Sequence, residues 1–476
     1  MDKDLRSIQQ ARDMIALANE AAAEASELTQ EQVDAIIYAM AEAGYAHAEE
    51  LARLAVDETG FGKYEDKIIK NRFASRSLYE YIKDMKTVGI VSRDDDKGLW
   101  EIAIPVGVVT ALIPSTNPTS TAIYKSMICM KSRNPVVLSP HPSAKKAIAR
   151  TCELMSEAAS AHGAPKNMFQ CLSEVHMGGT RELMQNDGVA LILATGGRDM
   201  VRAAYSSGRP ALGVGPGNVP AFIERSADIR RAVSRIMESK TFDNGVICAS
   251  EQAVVTENCI ADAVAEEMKR QGCYFLSDEE AHLVAQVMTR APGKLNPRIV
   301  GHTAREIAAM AGFELPENVL VMVYREKGVG DNYPFSIEKL SPILAFYSEE
   351  DWHSACLLCI ELLNYNGVGH SLVIHSQDQA VITEFALKKP VSRILVNAPA
   401  SQGAIGAATK LAPSLTLGCG SVGGSATSDN VTPMHLIDIR RVAFGRKEAE
   451  PVLQTAATGI DIEEITRKVI EVLKKT

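Results

Sequence analysis

From about Ala103 onward, short β-branched runs alternate with stretches of helical periodicity, and few folds accommodate that alternation. The runs AIPVGVVTALI, NPVVLS, VALILAT and VPAFIE are each followed by a helical segment, beginning near Thr119, Ser143, Arg198 and Ile229. Parallel strands need crossovers, and helices supply them, so the pattern predicts a mostly parallel sheet covered by helices on both faces. A second block from near Gln252 repeats it with AVVT, NVLVMVY, PILAFY, SLVIHS and SRILVN, which predicts a second α/β domain. Ahead of both blocks, the first 85 residues repeat apolar positions at helical spacing, with Ile8, Ala11, Ile15 and Ala18, then Ile36, Ile37, Met40 and Ala41. They form a helical lead-in. Residues 398–430 carry too much glycine and serine for a packed helix and read as a long functional loop.

A chain of 476 residues with 46% apolar content can bury a core large enough for two or three such units. Its net charge of -9 offers no basic field for a nucleic-acid backbone. No apolar run is long enough to span a bilayer, so the expected location is cytoplasmic, with no membrane partner. The nine cysteines read as reduced thiols. Cys356 and Cys359 form a C-x-x-C, but no second ligand pair stands at zinc spacing, and their segment has the apolar rhythm of a packed helix; no metal is expected.

Several positions bear chemistry, each with a plain structural alternative. Cys248, in FDNGVICASEQ between a glycine turn and a strand, reads either as a core thiol or as a nucleophile whose pKa is lowered by nearby backbone N–H groups. Asn117 before Pro118 is a turn residue or an amide donor. Thr195, Gly196 and Gly197 close a strand and open a helix, a tight turn that can also turn N–H groups toward a pyrophosphate. Glu338 is a loop carboxylate, and His370 a lone histidine before a strand. Gly418 to Gly423 fits G-x-G-x-x-G, but it lacks the βαβ setting of a dinucleotide fingerprint.

The segment GVICASEQ resembles the nucleophile motif of CoA-acylating aldehyde dehydrogenases, above all the aldehyde dehydrogenase half of bifunctional aldehyde-alcohol dehydrogenases. The likeness runs over roughly residues 89–441, through IPSTNPTST, SPHPSAK, LILATGG, AAYSSGRPALGVGPGN, EKLSP, PASQGAIG and LAPSLTLGCGS in order. The iron-dependent alcohol dehydrogenase half is not expected. The resemblance implies that Cys248 is the nucleophile and Asn117 an oxyanion donor. Ser139 and His141 would stand where many relatives hold the cofactor ribose with lysine, with Thr195, Gly196 and Gly197 at the pyrophosphate and Glu338 at the nicotinamide ribose. His370 would assist proton transfer with CoA. Hydrolytic members carry a glutamate base where this chain has Val214, so the thioester is expected to wait for CoA rather than water. The cofactor is NAD, with NADP possible, and CoA is a co-substrate. Acetaldehyde is the default substrate; propionaldehyde and sulfoacetaldehyde are alternatives.

The implied fold is that of an aldehyde dehydrogenase, α/β, with two α/β domains and a small oligomerisation element. The lead-in and NAD-binding domain take residues 1–240, with an oligomerisation strand near 99–102, and the catalytic domain takes 241–430. An oligomerisation segment follows at 431–450, and a linker and amphipathic helix at 451–476. A homodimer or larger assembly is expected. In the tail, Ile462, Ile465, Val469, Val472 and Leu473 share one stripe. That helix either docks on its own subunit or, as in some relatives of bacterial microcompartments, directs residues 460–476 to shell proteins. Two rival readings are a reductase of acyl phosphates, which shares fold and cysteine, and a non-catalytic assembly or cargo protein.

Overall fold

The computed structural model describes residues 2–445 and 462–474. Met1, residues 446–461 and the last two residues lie outside the described residues, and with them the end of the expected oligomerisation segment and the expected linker. Contacts divide the chain into two units, one of residues 1–89 with 104–438 and the other of 90–103 with 439–476.

The lead-in is helical from Lys3 to Ile82 with short breaks. Its second helix, Gln30–Ala46, starts at a Thr29 capping box completed by Gln32, a device worth about 1 kcal/mol, and buries Val33, Ile36, Ile37 and Met40. Strands β1 (Gly89–Asp94) and β2 (Leu99–Pro105) come next. The strands β3 (Val109–Ile113), β4 (Val136–Pro140), β5 (Phe169–Cys171), β6 (Leu191–Thr195) and β7 (Ala211–Val214) then build a parallel sheet in the order β5-β4-β3-β6-β7. Every residue of β3 and β4 is buried, as the unbroken β-branched runs predict for strands covered on both faces. The chain steps from β3 outward through β4 and β5, then returns to the opposite side of β3. The switch point therefore falls between β3 and β6, where α/β sheets open a ligand crevice at the strands' carboxyl ends.

The second sheet is also parallel. It gathers β8 (Val219–Ile223), β9 (Glu251–Glu257) and β10 (Cys273–Phe275), then, past a small hairpin of β11 (Thr289–Ala291) and β12 (Lys294–Leu295), β13 (Val321–Arg325), β14 (Ile343–Glu349), β15 (Gly369–His375) and β16 (Val391–Val396). The order is β10-β13-β14-β9-β8-β15-β16. The change of sheet thus comes at the Gly215–Asn218 turn, and β8 stands in the second sheet although it precedes residue 240. Asn218 anchors the crossing by donating its side-chain amide to the carbonyls of Ser336 and Leu362. Cys356 and Cys359 are buried on the helix Trp352–Asn366, in the core under this sheet.

The last strand, β17 (Ile437–Ala443), joins β1 and β2 in a three-stranded sheet ordered β1-β2-β17. Trp100 packs edge-on against Phe444 there, with ring centroids 5.0 Å apart. The tail forms the helix Ile462–Leu473, on which Ile465, Val469, Ile470, Val472 and Leu473 are exposed. Among the described residues, no helix is long and apolar enough to cross a membrane.

Candidate active site

One cavity of about 860 Å³ opens at the switch point, within the range of pockets that enclose small-molecule ligands. Its walls come from the carboxyl ends of β3, β4, β6 and β7, the turn before β9, and the loops around Glu338 and Leu415. Cys248, Asn117, Ser139, His141, Thr195, Gly196, Gly197 and Glu338 all line it, although they lie up to 221 residues apart in sequence. His370 does not. It is fully buried at the start of β15, its Nδ1 beside Ser371 Oγ and its Nε2 without a hydrogen-bond partner among the described residues.

Gly217 keeps these parts close. A Cβ at this position would stand 2.0 Å from the Cys248 carbonyl oxygen and 3.2 Å from the His370 ring, so only glycine lets the crossing chain run this close to both. Its N–H donates to Glu338 Oε1 at 2.9 Å, which aims that carboxylate along the cavity wall.

Cys248 follows a turn in which Asp243, Asn244 and Gly245 take left-handed φ values of 50°, 53° and 74° in succession. Left-handed non-glycine residues cost on the order of 1 kcal/mol each and persist where surrounding bonds fix them. Asp243 is fixed by donors from the Lys63 N–H, Lys67 and Lys70, and Asn244 by a bond to the Gly301 carbonyl. Past the turn, the Cys248 N–H and the Asn117 Nδ2 donate to no other residue among those described. Both residues line the cavity, and free N–H donors are what an oxyanion would require.

The expectation of a lowered thiol pKa is corrected. Enclosure by protein pushes the Cys248 thiol up to about 12, with the Glu338 carboxylate adding to the effect, while the Arg393 guanidinium and the backbone N–H oppose it. The same enclosure raises Glu338 to about 7. Neither residue is shielded from the cavity, so a positive charge between them would favour both anions.

Elsewhere on the wall, Ser139 is buried with its hydroxyl 2.9 Å from that of Thr180. Gly197 lines the cavity and precedes the helix Arg198–Tyr205, and a Cβ there would meet nothing within 4 Å. Val214 closes β7 with a buried side chain that turns an apolar surface to the cavity. Cys419, in the glycine-rich stretch, is buried away from it, its Sγ toward the Leu417 carbonyl. Among the described residues no cluster of His, Cys, Asp or Glu could hold a metal ion.

The aldehyde dehydrogenase family model matches residues 5–272. The chain belongs to the aldehyde dehydrogenase family. It is 47% identical over 435 residues to the bifunctional aldehyde-alcohol dehydrogenase of Escherichia coli K12, a match that covers 90% of this chain and 48% of the relative. The chain spans about half the length of the curated aldehyde-alcohol dehydrogenases it matches. A crystal structure of an acetylating aldehyde dehydrogenase from Geobacillus thermoglucosidasius superposes with a TM-score of 0.92 at 50% identity, covering 94% of this chain and 99% of that one. A propionaldehyde dehydrogenase from the fucose-utilisation bacterial microcompartment of Clostridium phytofermentans gives 0.83 at 29% identity, over 91% and 97%.

Sequence reasoning missed part of the wall. Thr180, the β11–β12 hairpin with Arg290 and Lys294, and Tyr365 with Asn366 all line the cavity from segments with no motif to mark them. It also missed Lys70, whose helix reads as an ordinary charged surface.

Proposed function

We propose that the chain oxidises a short aldehyde to its acyl-CoA, reversibly, with NAD as hydride acceptor. Acetaldehyde is the first substrate to test, then propionaldehyde and sulfoacetaldehyde. The observation that carries this reading is the apolar Val214 in a wall that holds Cys248 and two free oxyanion donors. The Cys248 thiol gives its proton to solvent in the cavity, the thiolate attacks the aldehyde carbon, and the carbonyl oxygen becomes an anion held by Asn117 Nδ2 and the Cys248 N–H. The bound nicotinamide cofactor supplies the hydride acceptor, and loss of hydride leaves a thioester on Cys248. With a valine where a base would stand, water is a poor nucleophile; the CoA thiolate attacks the thioester and releases Cys248.

Thr195, Gly196 and Gly197 would hold the cofactor pyrophosphate, Ser139, Thr180 and His141 its adenosine ribose, and Glu338 its nicotinamide ribose. His370 would assist proton transfer with CoA. NADH formation from acetaldehyde is expected to rise at least about tenfold on adding CoA. Equal rates without CoA would make water the acceptor and sink the argument from Val214.

Two further parts of the reading concern assembly. The free edge of β17 would extend a neighbouring subunit's sheet in a homodimer or larger oligomer. The exposed apolar stripe of the helix Ile462–Leu473 supports a role for residues 460–476 in recruitment to a microcompartment shell. Deleting those residues should leave turnover intact and abolish co-purification with shell proteins; unchanged co-purification would exclude the role.

A further inference from the structure

A charged network lies under the site, in the wall behind Asn117. The Lys70 ammonium, buried on the helix Tyr64–Arg72, has three N–H donors and three acceptors: Asn117 Oδ1 at 2.6 Å, Asp243 Oδ2 at 2.5 Å and the Val246 carbonyl at 2.8 Å. Asp243 heads the left-handed turn before the nucleophile, and Val246 is two residues from it. One ammonium group therefore ties the side-chain donor of the oxyanion site to the segment that carries the backbone donor.

The chemistry of the ammonium dictates how Asn117 sits. A lysine ammonium donates and never accepts, so the amide must turn its oxygen to Lys70, and its NH2 group then faces the other way, into the cavity. Asn117 has no competing duty, since it precedes the helix Pro118–Lys131 without capping it. Burial lowers the Lys70 pKa to about 8, with Asp243 opposing the fall, so the ammonium persists at neutral pH. Polarisation by a full positive charge at the amide oxygen also strengthens the amide N–H as a donor.

We propose that Lys70 is a positioning residue that sets Asn117 as the oxyanion donor and holds it in register with Cys248. The proposal rests on the reading of Asn117 as that donor, and a double-mutant cycle keeps the two apart. In otherwise wild-type protein, Lys70→Met should lower kcat by about tenfold to a hundredfold, with KM for aldehyde and NAD little changed. In an Asn117→Ala background the same substitution should cost less than about threefold, because the group it orients is gone. Equal costs in both backgrounds would mean that Lys70 only supports the turn, and no cost in wild type would also overturn the proposal. A fully active Asn117→Ala would instead overturn the donor reading. Should Lys70→Met fail to fold, Lys70→Gln, whose amide keeps two N–H donors but no charge, reads the same coupling.

Discussion

Cys248→Ala is expected to lower NADH formation by about 10⁴-fold or more, the scale on which removing a covalent nucleophile acts. The cavity wall contains no other thiol. Cys419 is enclosed near the Leu417 carbonyl, and Cys129, Cys152, Cys273, Cys356 and Cys359 are buried in the packed cores. Among the described residues, the wall hydroxyls of Ser115, Thr116 and Ser139 make no hydrogen bond to a histidine or carboxylate that would activate them. The variant should unfold at the wild-type temperature, because the cavity side of Cys248 carries little packing. Residual turnover within about a hundredfold of wild type would place the nucleophile elsewhere.

Asn117→Ala is expected to reduce kcat by about 10² to 10³, roughly 3 to 4 kcal/mol of barrier, with KM for the aldehyde little altered. The asymmetry follows from where charge develops. The aldehyde oxygen is nearly neutral in the bound substrate and anionic only after Cys248 adds, so a donor aimed at it acts mainly on the transition state. Stability should fall modestly, on the order of 1 to 3 kcal/mol, because Lys70 loses one of three acceptors in a buried setting. Thermal unfolding at neutral pH, run beside steady-state kinetics, separates the two effects. A fall in kcat no larger than the change in folded fraction would remove Asn117 from the chemistry.

Much of this arrangement was legible in the residues. Unbroken runs such as Val109–Ile113 and Val136–Pro140 read as strands because a strand buried on both faces carries no polar alternation. The candidate residues Ser139, Thr195 and Gly196 stand at the carboxyl ends of such strands, where a parallel sheet opens. What stayed hidden depends on long-range contact. Lys67 and Lys70 are spaced as a solvated pair on a charged helix, and only the fold brings Asp243 to them from more than 170 residues away. The thiol of Cys248 reads as activated when only its own turn is considered. Enclosure and Glu338, which lies on a separate loop, reverse that shift. His370 does not line the cavity, and the approach of Gly217 to both the Cys248 carbonyl and the His370 ring is one that no local pattern encodes.

The central claim is that the thioester on Cys248 outlives water and yields to CoA. Mixing the protein with excess acetaldehyde and NAD, without CoA, and following NADH together with the mass of the peptide that carries Cys248 tests it directly. The account predicts a burst of one NADH per chain, an acyl group retained on that peptide, and renewed turnover with loss of the acyl group when CoA is added. Continuous NADH formation with an unmodified peptide in the absence of CoA would contradict it.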